Sequence, residues 1–192
     1  MKMNVPNALT VLRIVLIPLF LWRFLTAQTQ LQFYAAALIL GVSALSDTLD
    51  GYIARRCNQI TQLGKILDPI ADKLTLASVV AALWITKPHL WPLYAVFILK
   101  EFLMLVGGLR LHRKRVTIEG AKWFGKLATV MFYVIMITIV AFPSLSDGTI
   151  LVMLLLLLVF MLFSLLGYGV MFWGMLRSAK KRSTTPKSYD YL

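Results

Sequence analysis

Apolar residues along this chain fall in long unbroken runs, not in the alternation of a half-buried strand or the one-sided stripe of a soluble amphipathic helix. The runs occupy residues 9–25, 31–56, 64–86, 91–112, 122–142 and 148–176. Each is of roughly the length, about 20 residues, that a helix needs to cross the hydrocarbon of a bilayer. Inside lipid every backbone N–H and C=O must find a partner within the segment, so such runs become helices. The pattern predicts an all-α polytopic membrane protein, a bundle of six transmembrane helices. Asn4-Val-Pro6-Asn7 reads as a helix start ahead of the first run. With only Lys2 before that run and no small-residue cleavage site, it is read as a retained span and not as a signal peptide.

The composition is 59% hydrophobic with a mean hydropathy of +0.78, which leaves no room for a separate soluble domain. Residues 1–176 are read as one membrane domain. Residues 177–192, with five Lys or Arg and the polar Ser183-Thr-Thr-Pro-Lys-Ser, are read as a short, basic, disordered cytoplasmic tail resting on anionic headgroups. A net charge of +12 raises the question of nucleic acid, but the basic residues gather at span ends, where they orient the chain. Arg55, Arg56 and Lys65 follow the second run, Arg110, Arg113, Lys114, Arg115 and Lys122 lie between the fourth and fifth, and the tail closes the series. In the alternate connections Lys87 is the only Lys or Arg. Both termini are therefore expected in the cytoplasm. Trp22 and Trp91 fall near the predicted outer ends, and Trp123 and Trp173 near the inner ones, as an aromatic belt requires. Cys57 is the only cysteine, so no intrachain disulfide can form.

Against this apolar background, four of the eight acidic residues lie between positions 47 and 72: Asp47, Asp50, Asp68 and Asp72. Ionised carboxylates between two spans are costly unless a cation meets them, so they are read as metal ligands. Residues three or four apart share a helix face. Asp47, Asp50, Gly51 and Ala54 therefore point together from the second span, and Gly64, Asp68 and Asp72 form a stripe on the third. The short connection makes the two helices antiparallel neighbours, with their acidic faces converging at the cytoplasmic side. Four carboxylates together call for one or two divalent ions, and all-oxygen ligands favour Mg²⁺ or Mn²⁺ over zinc, for which no suitably spaced Cys or His is present. Gly51 and Ala54 admit two readings, close helix packing or space for a bulky ligand, and Arg55 can meet either a phosphate or a lipid headgroup. No Ser-His or Cys-His set offers a nucleophile, and His89 and His112 read as surface residues.

The full spacing, D-x2-D-G-x2-A-R-x8-G-x3-D-x3-D, resembles the signature of the CDP-alcohol phosphatidyltransferase family, and this chain matches every specified position. The resemblance implies a dimetal site that grips the diphosphate of a CDP-linked substrate, with Asp47, Asp50, Asp68 and Asp72 as ligands and Asp72 also the general base. It implies a CDP-binding surface of Gly51, Ala54, Arg55 and Gly64, a homodimer, and a place in phospholipid biosynthesis at the bacterial cytoplasmic membrane.

The opening Pro6-Asn7-Ala-Leu-Thr10-Val-Leu-Arg13 is similar to that of the branch making phosphatidylglycerophosphate from CDP-diacylglycerol and glycerol 3-phosphate, and of related cardiolipin synthases, whose acceptor is phosphatidylglycerol. A phosphorylated acceptor needs extra fixed cations, for which Lys100, Arg110 and Lys126 are the candidates. Lys100 adjoins Glu101, so a self-neutralising pair is the competing reading. The synthase branch carries Arg-Glu where Lys100-Glu101 stands, and its Leu-Arg falls two positions before Leu109-Arg110, a shift of about 200° around a helix. Gly125-Lys126-Leu-Ala128-Thr129 also resembles a segment of some cardiolipin synthases. Glycerol 3-phosphate is the first expectation for the acceptor and phosphatidylglycerol the second. From other classes, a divalent-cation transporter would spread polar groups along a whole crossing, and an assembly module would leave the carboxylates unexplained.

Overall fold

The computed structural model describes residues 4–56, 64–113 and 123–184. Among them run six helices: α1 (Val5–Leu25), α2 (Gln30–Arg56), α3 (Gly64–Thr86), α4 (Trp91–Arg113), α5 (Trp123–Ala141) and α6 (Asp147–Thr184), with a single 3₁₀ turn at Pro88–Leu90. Val5–Leu25, Gln30–Ala54, Leu67–Thr86, Pro88–Gly107 and Asp147–Phe172 are each long and apolar enough to span a membrane, while Gly125–Ala141 is a shorter apolar helix. The chain is thus an integral membrane protein, all-helical as its hydrophobic runs predict.

The helix ends differ from expectation in two places. α1 begins at Val5 instead of residue 9, because Pro6 occupies an opening position where its missing N–H costs nothing. α6 continues to Thr184, so residues 177–184 are helical and not the start of a disordered tail. That stretch has no Gly or Pro to stop a helix. The rest of the expected tail, with Lys187, and the connections holding Cys57, Lys114, Arg115 and Lys122 lie outside the described residues.

A second correction concerns the arrangement of α2 and α3. Among the described residues each packs far more extensively against α1 than against the other. From there α2 packs on α5, α5 on α6 and α6 on α4. The reason is on the buried face of α1. Pro6, Asn7, Thr10, Arg13, Phe20 and Phe24 recur at helical spacing, polar in the first half and aromatic in the second. The aromatic half enters a core with Leu40, Val79, Leu83, Tyr94, Phe97 and Met136, where Phe20 stacks on Phe24 at 5.8 Å between centroids. Two buried hydroxyls of α3 are satisfied within their own helix: Thr75 donates to the Ala71 carbonyl at 2.9 Å and Ser78 to that of Thr75 at 2.7 Å. Outward-facing residues such as Leu31, Leu38, Ile85 and Leu166 are exposed, as lipid contact requires.

At the bundle end holding the 3₁₀ turn, Lys87 donates to Asp147 at 2.6 Å and so ties the α3–α4 connection to the start of α6. His89 lies 3.5 Å from the same carboxylate, a surface position as expected. Between α3 and α4 a groove of about 600 Å³ remains, walled by apolar side chains including Val80, Trp84, Ile98 and Phe102.

Candidate active site

At the opposite end of the bundle, the first turns of α1, the last turns of α2 and the first turns of α3 meet. Three of the four aspartates gather here around one cation. Arg13 of α1 is fully buried; its guanidinium bonds Asp47 Oδ1, donates to Asp50 Oδ2 at 2.7 Å and stands 3.9 Å from Asp68 Oδ1. One turn earlier, the Thr10 hydroxyl donates to Asp68 Oδ1 at 2.7 Å and lies 3.4 Å from Asp50 Oδ2. Asp50 is almost wholly enclosed, whereas the side chains of Asp47 and Asp68 are 31% and 48% exposed. Access to the cluster is therefore on the side away from α1.

Asp72, one turn along α3 from Asp68, is half-buried and within electrostatic reach of Asp47. Gly51 and Ala54 are half-buried on the same stretch of α2, and Gly64 is buried at the head of α3. The side chains of Arg55 and Arg110 lie outside the described residues, although their backbones belong to α2 and α4. Lys126 is exposed on α5.

A second ionic cluster lies beside the first. Glu101 accepts from Lys100 at 2.6 Å and also pairs with Lys73 of α3. Lys100 thus adopts the paired reading, extended by a partner from a neighbouring helix, and both lysines remain within electrostatic reach of Asp72. Buried Tyr133 of α5 completes the surroundings, feeling the charges of Asp47, Asp72, Arg13 and Asp50. The glycine in the Gly125-Lys126 segment has a packing reason: a Cβ there would approach Tyr168 Cε2 and Cζ of α6 to 3.0 and 3.1 Å.

Chemically, the acidic cluster suits a hard divalent cation. Its donors are all carboxylate oxygens, two of the carboxylates are accessible, and three negative charges meet a single guanidinium, leaving a net negative site. Among the described residues no three such groups close into a cage by themselves; the guanidinium of Arg13 takes the central place.

Thr10 and Arg13 entered the reading of the sequence only as part of the opening segment, with no role at the site, and Lys73 and Tyr133 did not enter it. For Arg13 a signal exists: an arginine inside an otherwise apolar span demands a partner, and the aspartates of α2 are the natural candidates. Tyr133 and Lys73 carry no comparable signal, because nothing local sets them apart from lipid-facing or span-end residues.

Residues 3–177 match the sequence model of the CDP-alcohol phosphatidyltransferase family. The chain is similar to the CDP-diacylglycerol–glycerol-3-phosphate 3-phosphatidyltransferase of Aquifex aeolicus, 38% identical over 130 residues, covering 67% of this chain and 70% of the relative. It is also similar to the protein of the same name from Escherichia coli strain K12, 36% identical over 139 residues, covering 67% of this chain and 72% of the relative.

Proposed function

The chain belongs to the CDP-alcohol phosphatidyltransferase family, and on that premise we propose that it is a phosphatidylglycerophosphate synthase, transferring the phosphatidyl group of CDP-diacylglycerol to glycerol 3-phosphate and releasing CMP. The observation that carries the reading is the meeting of Asp47, Asp50 and Asp68 at one end of the bundle, with Asp72 one turn away. The choice of acceptor is supported by the activity for which the Aquifex aeolicus and Escherichia coli relatives are named.

Asp47, Asp50, Asp68 and Asp72 would hold the divalent ions, two of Mg²⁺ or Mn²⁺ in this reading. Once bound, those ions supply positive charge against the diphosphate and its departing CMP. The chain's own residues do the rest. The half-buried strip at Gly51 and Ala54, with Gly64 and Arg55, forms the face for the CDP group, where small side chains leave room for the nucleotide. Asp72 takes the proton from the acceptor hydroxyl. As the acceptor oxygen bonds to the phosphatidyl phosphorus, the bond from that phosphorus to the CMP oxygen breaks, and its electron pair leaves with CMP. Transfer of this type depends on positioning and charge, with no protein nucleophile required.

The net positive Lys73–Glu101–Lys100 cluster near Asp72 supports a phosphorylated acceptor, with Arg110 and Lys126 as further candidates. The basic connections support cytoplasmic termini and an active site facing the cytoplasm of a bacterial membrane. The family resemblance supports a homodimer, and the exposed apolar faces of α3 and α4 permit one. The transporter reading loses its footing, since the family is one of transferases and the polar groups crowd one end of the bundle.

The deciding experiment offers purified enzyme and labelled CDP-diacylglycerol to glycerol 3-phosphate, phosphatidylglycerol, inositol phosphate and serine in turn. Product with glycerol 3-phosphate alone is expected. Product with phosphatidylglycerol in its place would make the protein a cardiolipin synthase.

A further inference from the structure

Among the described residues, Arg13 is set apart from the other cations by its complete burial and by what it touches. Its guanidinium bonds one oxygen of Asp47 and one of Asp50, and Thr10, on the same face of α1, bonds one oxygen of Asp68. Arg13 and Thr10 between them meet Asp47 through Oδ1, Asp50 through Oδ2 and Asp68 through Oδ1. The Arg13 Nε–H is buried with no acceptor, so the head group is held by its terminal nitrogens alone.

We propose that Arg13, with Thr10, forms an anchor behind the acidic cluster, holding Asp47, Asp50 and Asp68 from the enclosed side so that the accessible Asp47 and Asp68 keep an oxygen each for a divalent cation. Arg13 is thus a positioning residue for the ion and touches neither ion nor substrate. The inference rests on the reading of these carboxylates as ligands. Three observations separate an anchor from a mere counter-charge. The guanidinium is planar and forked and uses that shape, meeting two carboxylates with two nitrogens. It approaches from the enclosed side, while Asp47 and Asp68 remain open on the other. Thr10, which carries no charge, completes the set on the third carboxylate. Carboxylates that ligate metals are commonly held in this way by an outer shell of hydrogen bonds, whose loss costs about 10–100-fold in metal affinity.

Binding of Mn²⁺ to the purified full-length chain in detergent, followed by the electron paramagnetic resonance signal of free Mn²⁺, tests this without reference to turnover. Arg13→Lys keeps the charge and loses the fork. It is expected to weaken Mn²⁺ binding by about tenfold or more, with helix content and micelle size unchanged. Thr10→Val should weaken binding by a smaller factor, and Thr10→Ser should restore it. Mn²⁺ affinity in Arg13→Lys equal to or tighter than that of the wild type would overturn the proposal, leaving Arg13 a counter-charge that competes with the ion. If Arg13→Lys does not fold, the Thr10 pair decides: unchanged affinity in Thr10→Val overturns the anchor, and loss rescued by serine supports it. Absence of Mn²⁺ uptake by the wild type would instead sink the reading of the aspartates as ligands, and the anchor with it.

Discussion

Helix α3 carries an ionic cluster on each of two faces, and the two differ in sign, enclosure and neighbours. On the side of α1, Asp68 joins Asp47 and Asp50 around a single guanidinium, so negative charge is in surplus and Arg13 is wholly buried. On the side of α4, Lys73 and Lys100 share Glu101, so positive charge is in surplus and Lys73 stands at the edge of an open apolar groove. Asp72 lies within reach of both groups. The difference suggests a division of labour in one turn of helix: a surface for cations and the nucleotide diphosphate on one face, and a surface for an anionic acceptor on the other.

The comparison breaks most severely if the negative face is neutralised. Asp50→Asn removes the most enclosed of the carboxylates and is expected to abolish turnover and weaken CDP-diacylglycerol binding together. Chelation of divalent ions should abolish turnover equally, with Mg²⁺ or Mn²⁺ restoring it. Full turnover in excess EDTA would mean that the negative face does not serve ions. Asp72→Asn should separate binding from chemistry, with turnover falling by about 10²–10⁴-fold while CDP-diacylglycerol binding is largely retained; a rate near that of the wild type would remove Asp72 from the role of base. A smaller effect is expected on the positive face. Lys100→Gln should raise the KM for glycerol 3-phosphate by about tenfold, the loss of one charge-assisted hydrogen bond, with a lesser change for CDP-diacylglycerol. Equal changes in the two KM values would show that Lys100 acts only through its pair with Glu101. The smallest effect belongs to Lys87→Gln at the far end of the bundle, where an exposed pair with Asp147 contributes little; turnover should stay within experimental error of the wild type.

The helices were legible in the sequence because in lipid a hydrophobic run has one structural outcome, and their number follows from counting runs. Their adjacency was less legible. A short connection suggests that α2 and α3 pack together, yet the buried face of α1 offers both of them more, through Thr10 and Arg13 at one end and Phe20 and Phe24 at the other. The four aspartates stood out because charge between apolar spans is rare and their spacing is periodic. Arg13 did not, since its partners are 34 and 37 positions away in the chain. Lys73 was hidden for a related reason: it follows Asp72 directly and reads as its neighbour, whereas the fold turns it toward Glu101 of α4.

The packing of α1 against both α2 and α3 also bears on how the protein is made. α1 leaves the ribosome before either of them, and it carries an arginine that lipid receives at a cost of about 2.5–3.5 kcal/mol near the middle of a span. The carboxylates that relieve this cost lie in helices synthesised later, Asp47 and Asp50 in the second and Asp68, which also accepts from Thr10, in the third. Until α3 is made, the acidic cluster around Arg13 lacks Asp68. The acidic end of the bundle therefore closes only once α3 has joined α1 and α2, and a ribosome stalled before Asp68 would leave that cluster unfinished.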